Sequence, residues 1–405
     1  MKKLLCLALT AVLAFSAVAC GSSDSAATDS TTDAADDAAA AESGDAAAAE
    51  GSTLKIGGIG PTTGSAAIYG TAVMNAAQMA VDEINAAGGI NGMQIEFRFE
   101  DDENDAERSI NAYNTLKDWG MQMLIGTTTS TPCVAVVEET HADNMFQLTP
   151  SATAVESIQY DNAFRMCFSD PDQGKASADY ISENGIATKI AVIYNSSDTY
   201  STGIRQKFEE EAKSVGLEIV ASEAFTADSK TDFSVQIQKA KDAGAELVFL
   251  PIYYQEASLI LAQANNAGFD PIWFGVDGMD GILNLEGFDA SLAEGVMFLT
   301  PFTADSDDEK TQAFVAAYEA EFGETPIQFA ADAYDCVYVM KEAIENADVK
   351  PDMSISEICD ALKTSMTEIT IDGLTGTQIS WTEDGEPSKE PIVVQVEGGK
   401  YIVLE

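Results

Sequence analysis

Apolar residues along the chain follow two different spacings from residue 53 onward. Short apolar or alternating runs are typical of strands, and apolar residues three or four positions apart are typical of helices. The first series predicts strands at 53–60, 94–100, 121–125 and 146–149, and helices at 66–87, 106–119 and from about residue 132. A second series, which begins near residue 172, predicts strands at 189–194, 217–223 and 246–251, and helices at 203–215, 233–243 and 255–267. This repeated order predicts parallel sheets with helices on both faces.

The final stretch of the chain follows a different pattern. Glycine-rich turns separate three apolar runs at 375–381, 391–394 and 401–404, which predict antiparallel strands added to one sheet. Roughly 350 residues lie beyond residue 52, which is more than a single hydrophobic core usually organises. The sequence therefore predicts an α/β protein with two doubly wound, Rossmann-like lobes.

The N-terminus carries a targeting signal. Lys2 and Lys3 precede an apolar run at 4–17 that is too short to span a bilayer as a permanent helix, which indicates a signal peptide at 1–19. The small residues before Cys20 resemble the lipobox of bacterial lipoproteins, which implies that Cys20 becomes a lipidated N-terminal residue. An ordinary secretory signal with an incidental cysteine is the alternative. We expect an extracytoplasmic protein that touches the cell membrane through its lipid anchor only.

Residues 20–52 predict a disordered acidic tether. The segment 21–52 holds eight acidic residues and no basic or aromatic ones, so it cannot build a core. As a flexible coil it would reach roughly 30 Å from the membrane surface. The net charge of −46 argues against nucleic acid or an anionic membrane surface as a partner, because both would repel the protein.

Cysteine and histidine are too sparse to indicate a metal site or another cofactor. Cys6 leaves with the signal peptide and Cys20 carries the lipid. Three disulfide pairings, or free thiols, are open to the remaining cysteines, which are Cys133, Cys167, Cys336 and Cys359. With one histidine in the chain and no paired cysteine spacing, we predict no metal binding.

Two hydroxyl-rich segments follow neighbouring strands of the first series. Residues 127–132 lead into a helix, where Pro132 suits the first turn and Ser130 or Thr131 suits the N-cap. Residues 149–153 form the second cluster, at the same sheet edge. Free backbone N–H groups and hydroxyls at such a place can bind a carboxylate or a phosphate, although plain helix capping is the alternative.

Several segments resemble the branched-chain amino-acid binding proteins, which belong to the type I periplasmic-binding-protein family that serves ABC transporters. The matching segments are 55–64, 69–70, 86–92, 149–153, 170–174 and 373–376. The resemblance covers residues 53–405 and implies two lobes joined by a three-crossover hinge, with crossings near 170–173, 301–304 and 374. The first lobe would comprise 53–171 and 304–374, and the second 172–303 and 375–405.

The resemblance also implies a ligand site. Ser130 would hold the ligand carboxylate, Thr153 would contact carboxylate and ammonium, and the backbone carbonyl of Ser151 would accept from the ammonium. Asp277 would pair with the ammonium, at a position where leucine-binding members have glutamate. The aromatic residues that would line the cleft are Tyr69, Tyr200, Tyr253 and Phe329.

The resemblance implies a binding protein that captures an amino acid, branched-chain or related, and delivers it to the permease subunits of an ABC importer, and we expect it to be a monomer. Hinge closure around the ligand would be the mechanism. Thr128 and Thr129 stand where aliphatic amino-acid binders are apolar, so a polar or smaller side chain is also open. The alternatives are a ligand-sensing module of the same fold, or a binder of an amide, urea or an organic or aromatic acid.

Catalysis is not indicated by the sequence. His141, the single histidine, lies in a predicted helix without a serine or cysteine motif nearby, so a catalytic triad is not expected. The glycines at 58–60 lack the rest of a dinucleotide fingerprint, and no phosphate-binding loop pattern occurs. We therefore predict that the protein is not an enzyme.

Overall fold

A computed structural model describes residues 53–404. The strands are β1 (Thr53–Gly60), β2 (Gln94–Asp101), β3 (Met123–Gly126), β4 (Phe146–Thr149), β5 (Ala163–Arg165), β6 (Lys189–Asn195), β7 (Glu218–Phe225), β8 (Leu247–Leu250), β9 (Ile272–Gly275), β10 (Met297–Thr300), β11 (Ile392–Glu397) and β12 (Lys400–Val403). The α-helices are α1 (Ala67–Ala86), α2 (Ala106–Trp119), α3 (Ser130–Asp143), α4 (Asp170–Glu183), α5 (Thr199–Ser214), α6 (Ser234–Asp242), α7 (Tyr254–Asn266), α8 (Glu309–Phe322), α9 (Gln328–Asn346) and α10 (Ile355–Met366). None of the helices in the described part of the chain is long and apolar enough to cross a membrane.

The first sheet has five parallel strands in the order β2-β1-β3-β4-β5. Successive side chains of a strand point to opposite faces, and β3 shows the consequence. Met123 and Ile125 pack toward α1 and α9, whereas Leu124 packs toward α2 and α3. All four residues of β3 are buried, as expected for a parallel strand covered on both faces.

The second sheet has seven strands in the order β12-β11-β10-β9-β8-β6-β7. Its first five strands in chain order are parallel, and β11 and β12 pair antiparallel at one end. In β6, Ile190 and Val192 pack with α4 and α5, whereas Ala191 and Ile193 join the core on the face of α6 and α7. The two mostly parallel sheets confirm the predicted α/β class.

Helices from late in the chain return to the first sheet. α9 packs along α1, and α10 packs against α9 and β4. The strands β11 and β12, which come later still, extend the second sheet. The chain therefore passes between the two sheets more than once, whereas the lobe boundaries near 171, 303 and 374 stay predictions.

The prediction of a strand at 375–381 is wrong. Within this region the structure has only isolated bridges, which join Ile371 to Ile379 and Trp381 to Pro387. Tertiary hydrogen bonds replace a ladder, because the backbone N–H and hydroxyl of Thr375 both donate to Asp335. The other two strands predicted for the C-terminal part form as β11 and β12.

Candidate functional site

The loops that follow the carboxyl ends of both sheets meet in a closed cleft. Tyr69, at the start of α1, donates its hydroxyl to the carbonyl of Gly278, just after β9. The same hydroxyl oxygen accepts the backbone N–H of Tyr254, at the start of α7, at 3.1 Å. Ligands of open α/β sheets bind beyond the carboxyl ends of strands, so this cleft is a candidate ligand site.

The first sheet contributes a hydroxyl-rich end. Ser130 begins α3 and is buried, and its Oγ accepts the backbone N–H groups of Thr153 at 3.1 Å and Ala154 at 3.2 Å. Thr153 Oγ1 is fully buried without a hydrogen-bond partner within the described residues. Ser151 Oγ donates to the carbonyl of Thr128 at 2.6 Å, so this side chain is satisfied within its own loop.

The second sheet contributes a buried carboxylate. Asp277 follows β9 and is 4% exposed. Its Oδ1 accepts the hydroxyl of Tyr200 at 2.6 Å and the backbone N–H of Gly278 at 2.8 Å. Burial raises the pKa of Asp277 to about 6, and the Tyr200 hydroxyl opposes that rise. A buried carboxylate with a raised pKa is stabilised by a nearby cation.

Aromatic rings form a continuous wall beside these polar groups. Tyr69 stacks on Phe329 with ring centroids 4.0 Å apart and meets Tyr253 edge-on at 5.5 Å. Tyr253 in turn stacks on Tyr200 at 4.9 Å. A Cβ at Gly278 would lie 2.6 Å from the Tyr200 hydroxyl, so this position has room only for glycine. The structure thus brings the four predicted aromatic residues together.

Glutamine side chains that the sequence analysis did not select hold the Asp277 loop. Gln173, on α4, accepts the backbone N–H of Asp277 with its Oε1 at 3.1 Å. Gln328, the first residue of α9, donates its Nε2 to the Asp277 carbonyl at 2.5 Å, and its backbone N–H donates to Asp280 at 2.7 Å. Gln173 lies in the segment 170–174, which is part of the family resemblance, so the sequence carries a signal for it. Gln328 had no such signal.

Further contacts close the cleft at two places away from Asp277. Thr131 Oγ1, on α3, donates to Asp198 at 2.9 Å. Burial raises the pKa of Asp198 to about 6, and the Thr131 hydroxyl opposes this. Lys230 Nζ donates to Ser65 Oγ at 2.9 Å. The two sheets are therefore joined by hydrogen bonds from several loops.

Two open surface cavities are separate from this cleft. Cavities of about 460 and 510 Å³ are lined by residues of α8, α9 and the loops near 283, 371 and 400, and none of the predicted site residues lines them. The predicted site is instead enclosed, since its polar side chains are almost fully buried. The predicted binding residues therefore lie in the enclosed cleft and not in these two cavities.

The remaining predicted chemistry concerns cysteines and metals. The four cysteines within residues 53–404, which are Cys133, Cys167, Cys336 and Cys359, are buried free thiols. No cluster of three or more potential metal ligands occurs among the described residues. Cys20, the predicted lipidation site, lies outside the described residues.

Comparisons with known proteins agree with the resemblance found in the sequence. A family described as "Periplasmic binding protein" matches residues 53–400. The "Leucine-, isoleucine-, valine-, threonine-, and alanine-binding protein" of Pseudomonas aeruginosa is 31% identical over 297 residues, which are 73% of this chain and 79% of the relative. The "Leu/Ile/Val-binding protein BraC3" of Rhizobium johnstonii is 29% identical over 361 residues, 87% of this chain and 94% of the relative.

A solved structure gives the same result for the fold. The branched-chain amino acid transporter substrate-binding protein LivJ of Streptococcus pneumoniae, in complex with isoleucine, superposes with a TM-score of 0.78 at 33% identity. The match covers 87% of this chain and 99% of LivJ. This chain therefore belongs to the periplasmic binding protein family, with the type I fold of ABC-transporter substrate-binding proteins.

Proposed function

We propose that this protein captures an α-amino acid, branched-chain or related, in the closed cleft and delivers it to the permease of an ABC importer. One observation carries the proposal. Buried hydroxyls at Ser130 and Thr153 lie on one side of the cleft, and the buried carboxylate of Asp277 lies on the other. A zwitterion has the complementary pair of charges, so its carboxylate and ammonium can be satisfied at the same time.

The carboxylate end is supported by helix geometry as well as by hydroxyls. Ser130 is the first residue of α3, where backbone N–H groups have no partner within the helix and the helix dipole favours a negative charge. At the opposite end, Asp277 would receive the ammonium. The aromatic wall from Tyr69 to Tyr200 excludes water between the two ends, which strengthens both polar contacts.

The cleft can accept ligand side chains of more than one chemical type. Thr129 Oγ1 is buried and has no hydrogen-bond partner within residues 53–404, so it can receive a hydroxyl-bearing side chain. The Pseudomonas aeruginosa relative is described as binding threonine and alanine beside the branched-chain amino acids. This supports a pocket for small aliphatic and hydroxylated amino acids.

Hinge closure is the mechanism that we propose for capture. The closed cleft already has direct contacts between its sides, such as Thr131 with Asp198 and Tyr69 with Gly278. A ligand that binds Ser130 on one side and Asp277 on the other stabilises only the closed state, and this shifts the population toward closure. The protein would act as a monomer, held at the membrane by a lipid on Cys20.

A thermal-shift screen tests the amino-acid assignment. The chain 21–405, freed of co-purified ligand by partial unfolding and dialysis, is screened against the common amino acids, amides, urea and aromatic acids. A ligand at 100 times its dissociation constant adds about 2.7 kcal/mol of stability, which raises the melting temperature by several degrees. Shifts with a few small amino acids support the proposal. Shifts only with an amide or an organic acid would overturn it.

A further inference from the structure

A fully buried arginine lies behind the hydroxyl-rich end of the cleft. Arg165 is the last residue of β5 and is 0% exposed. Its Nη1 donates to the carbonyl oxygen of Thr153 at 2.5 Å and lies 3.4 Å from that of Ala152. Burial of a guanidinium costs free energy unless its charge is compensated or hydrogen-bonded. The position of Arg165 under the Thr153 loop indicates which groups its charge acts on.

The peptide groups held by Arg165 are the same two that bind Ser130. The Ala152–Thr153 peptide offers its oxygen to Arg165 and its N–H to Ser130 Oγ at 3.1 Å. The Thr153–Ala154 peptide does the same, and its N–H reaches Ser130 Oγ at 3.2 Å. Hydrogen bonds in such a chain polarise one another, so the positive charge strengthens both N–H donors.

The two N–H donors determine the direction of the Ser130 hydroxyl. A serine oxygen has two acceptor lone pairs and one O–H donor. Both lone pairs are occupied by Thr153 and Ala154, and the Ser130 hydroxyl donates to no acceptor within the described residues. Only donation remains open to this hydroxyl. A ligand that meets Ser130 must therefore supply an acceptor, and an anion is the strongest one.

We propose that Arg165 is a positioning residue that fixes the Ser130 hydroxyl as a donor and thereby makes the cleft select ligands that carry a carboxylate. The inference rests on the proposed amino-acid function and adds the origin of its anion preference. Arg165 does not touch the ligand. It acts through two peptide groups, so its effect depends on Ser130.

Residues far along the chain hold Arg165 in place. Trp381 donates its indole N–H to the Arg165 carbonyl at 2.8 Å, and the Arg165 N–H donates to the carbonyl of Gly385 at 3.1 Å. Glu386 Oε2 lies 3.2 Å from Arg165 Nε, and this carboxylate is partly exposed. Glu386 compensates part of the charge, so its removal should sharpen the anion preference.

The test compares an amino acid with its primary amide, which is a ligand pair that differs in the negative charge. Calorimetry gives both dissociation constants for the wild type, Arg165→Met, Arg165→Lys and Ser130→Ala, with the exposed Arg98→Met as a matched control. We expect Arg165→Met to reduce the preference for the amino acid over the amide by tenfold or more, as for a hydrogen bond to a charged group. Arg165→Lys should restore part of it, and Arg98→Met should not change it.

A double-mutant cycle separates positioning from a general structural role. In the Ser130→Ala background, Arg165→Met should cause little further loss of preference, because Arg165 acts on the ligand through the Ser130 hydroxyl, which this variant already lacks. Equal weakening of both ligands by Arg165→Met, or an undiminished effect without Ser130, would overturn the inference.

A second variant covers the case in which Arg165→Met does not fold. Glu386→Gln keeps the arginine and should raise the preference for the amino acid by up to about fivefold, as for a partly exposed ion pair. An unchanged or reduced preference would refute the proposed action of Arg165 on Ser130. Wild-type protein that binds no amino acid would refute the proposed function instead, so the two failures are distinguishable.

Discussion

Replacing Asp277 by asparagine tests the ammonium end of the cleft with a minimal change in shape. The amide oxygen of asparagine can still accept the Tyr200 hydroxyl and the Gly278 N–H, which Asp277 accepts in the structure. The substitution therefore removes the negative charge and leaves the loop hydrogen bonds available. Asp277→Ala would remove both, so the two variants together separate the charge from the loop geometry.

The expected magnitude follows from burial. Asp277 is 4% exposed, and truncation of one partner of a buried charge pair costs about 2–5 kcal/mol. At 1.4 kcal/mol per factor of ten, the dissociation constant of an α-amino acid should rise at least about 30-fold. The deaminated analogue should behave in the opposite way. With a pKa of about 6, protonating Asp277 at pH 7.5 costs about 2 kcal/mol, and asparagine removes that cost.

Isothermal titration calorimetry at pH 7.5 measures both ligands on the wild type, Asp277→Asn and Asp277→Ala. Asp270→Asn is the matched control, because this exposed aspartate lies before the other end of β9. The reasoning predicts weaker binding of the amino acid to Asp277→Asn and equal or tighter binding of the deaminated acid. Parallel losses for both ligands would show that Asp277 supports the loop and does not pair with an ammonium.

Three other predictions concern pH, closure and the membrane anchor. Because the pKa of Asp277 in the ligand-free fold, about 6, lies above its ordinary value of 3.8, its contribution to stability is full below about pH 4 and is lost as pH rises through about 6. The ammonium needs the carboxylate, so amino-acid affinity should fall by up to about tenfold per pH unit below pH 6, and a flat calorimetric profile from pH 5 to 8 would contradict the assignment. Tyr69→Phe loses the hydrogen bonds to Gly278 and Tyr254 that join the sides of the cleft, so ligand affinity should drop about five- to thirtyfold. Small-angle scattering should then show a more open ligand-bound form. Unchanged affinity and shape would exclude a role of Tyr69 in closure. Cys20→Ser should move the protein from the membrane fraction to the soluble fraction, and retention in membranes would refute the lipid anchor.

The element order was predictable because strands and helices depend on local patterns. The bounds of α2 agree with the prediction of 106–119, since Asp105 caps its start and Gly120 adopts a left-handed conformation at its end. The predicted strand at 375–381 failed for the opposite reason. Its residues contact partners far away in the chain and do not pair in a sheet, since the Trp381 indole N–H donates to the carbonyl of Arg165.

The candidate site was predictable to a different degree at its two ends. Hydroxyl clusters after neighbouring strands indicated the end with Ser130 and Thr153 from residue types alone. Asp277 between glycines has no such local signal, and its assignment to the ammonium depended on the resemblance. The glutamines Gln173 and Gln328, which hold its loop from α4 and α9, emerged only when the distant elements were brought together.

The sequence by itself determined the alternation of strands and helices and the position of the hydroxyl clusters, because each depends on residues close together in the chain. Only the tertiary structure decided the direction of the Ser130 hydroxyl. That direction depends on N–H groups 23 and 24 residues away, on Arg165 behind them, and on Trp381, which is 216 residues beyond Arg165. Whether a hydroxyl donates or accepts depends on the groups around it in the folded protein, and no local sequence pattern identifies those groups.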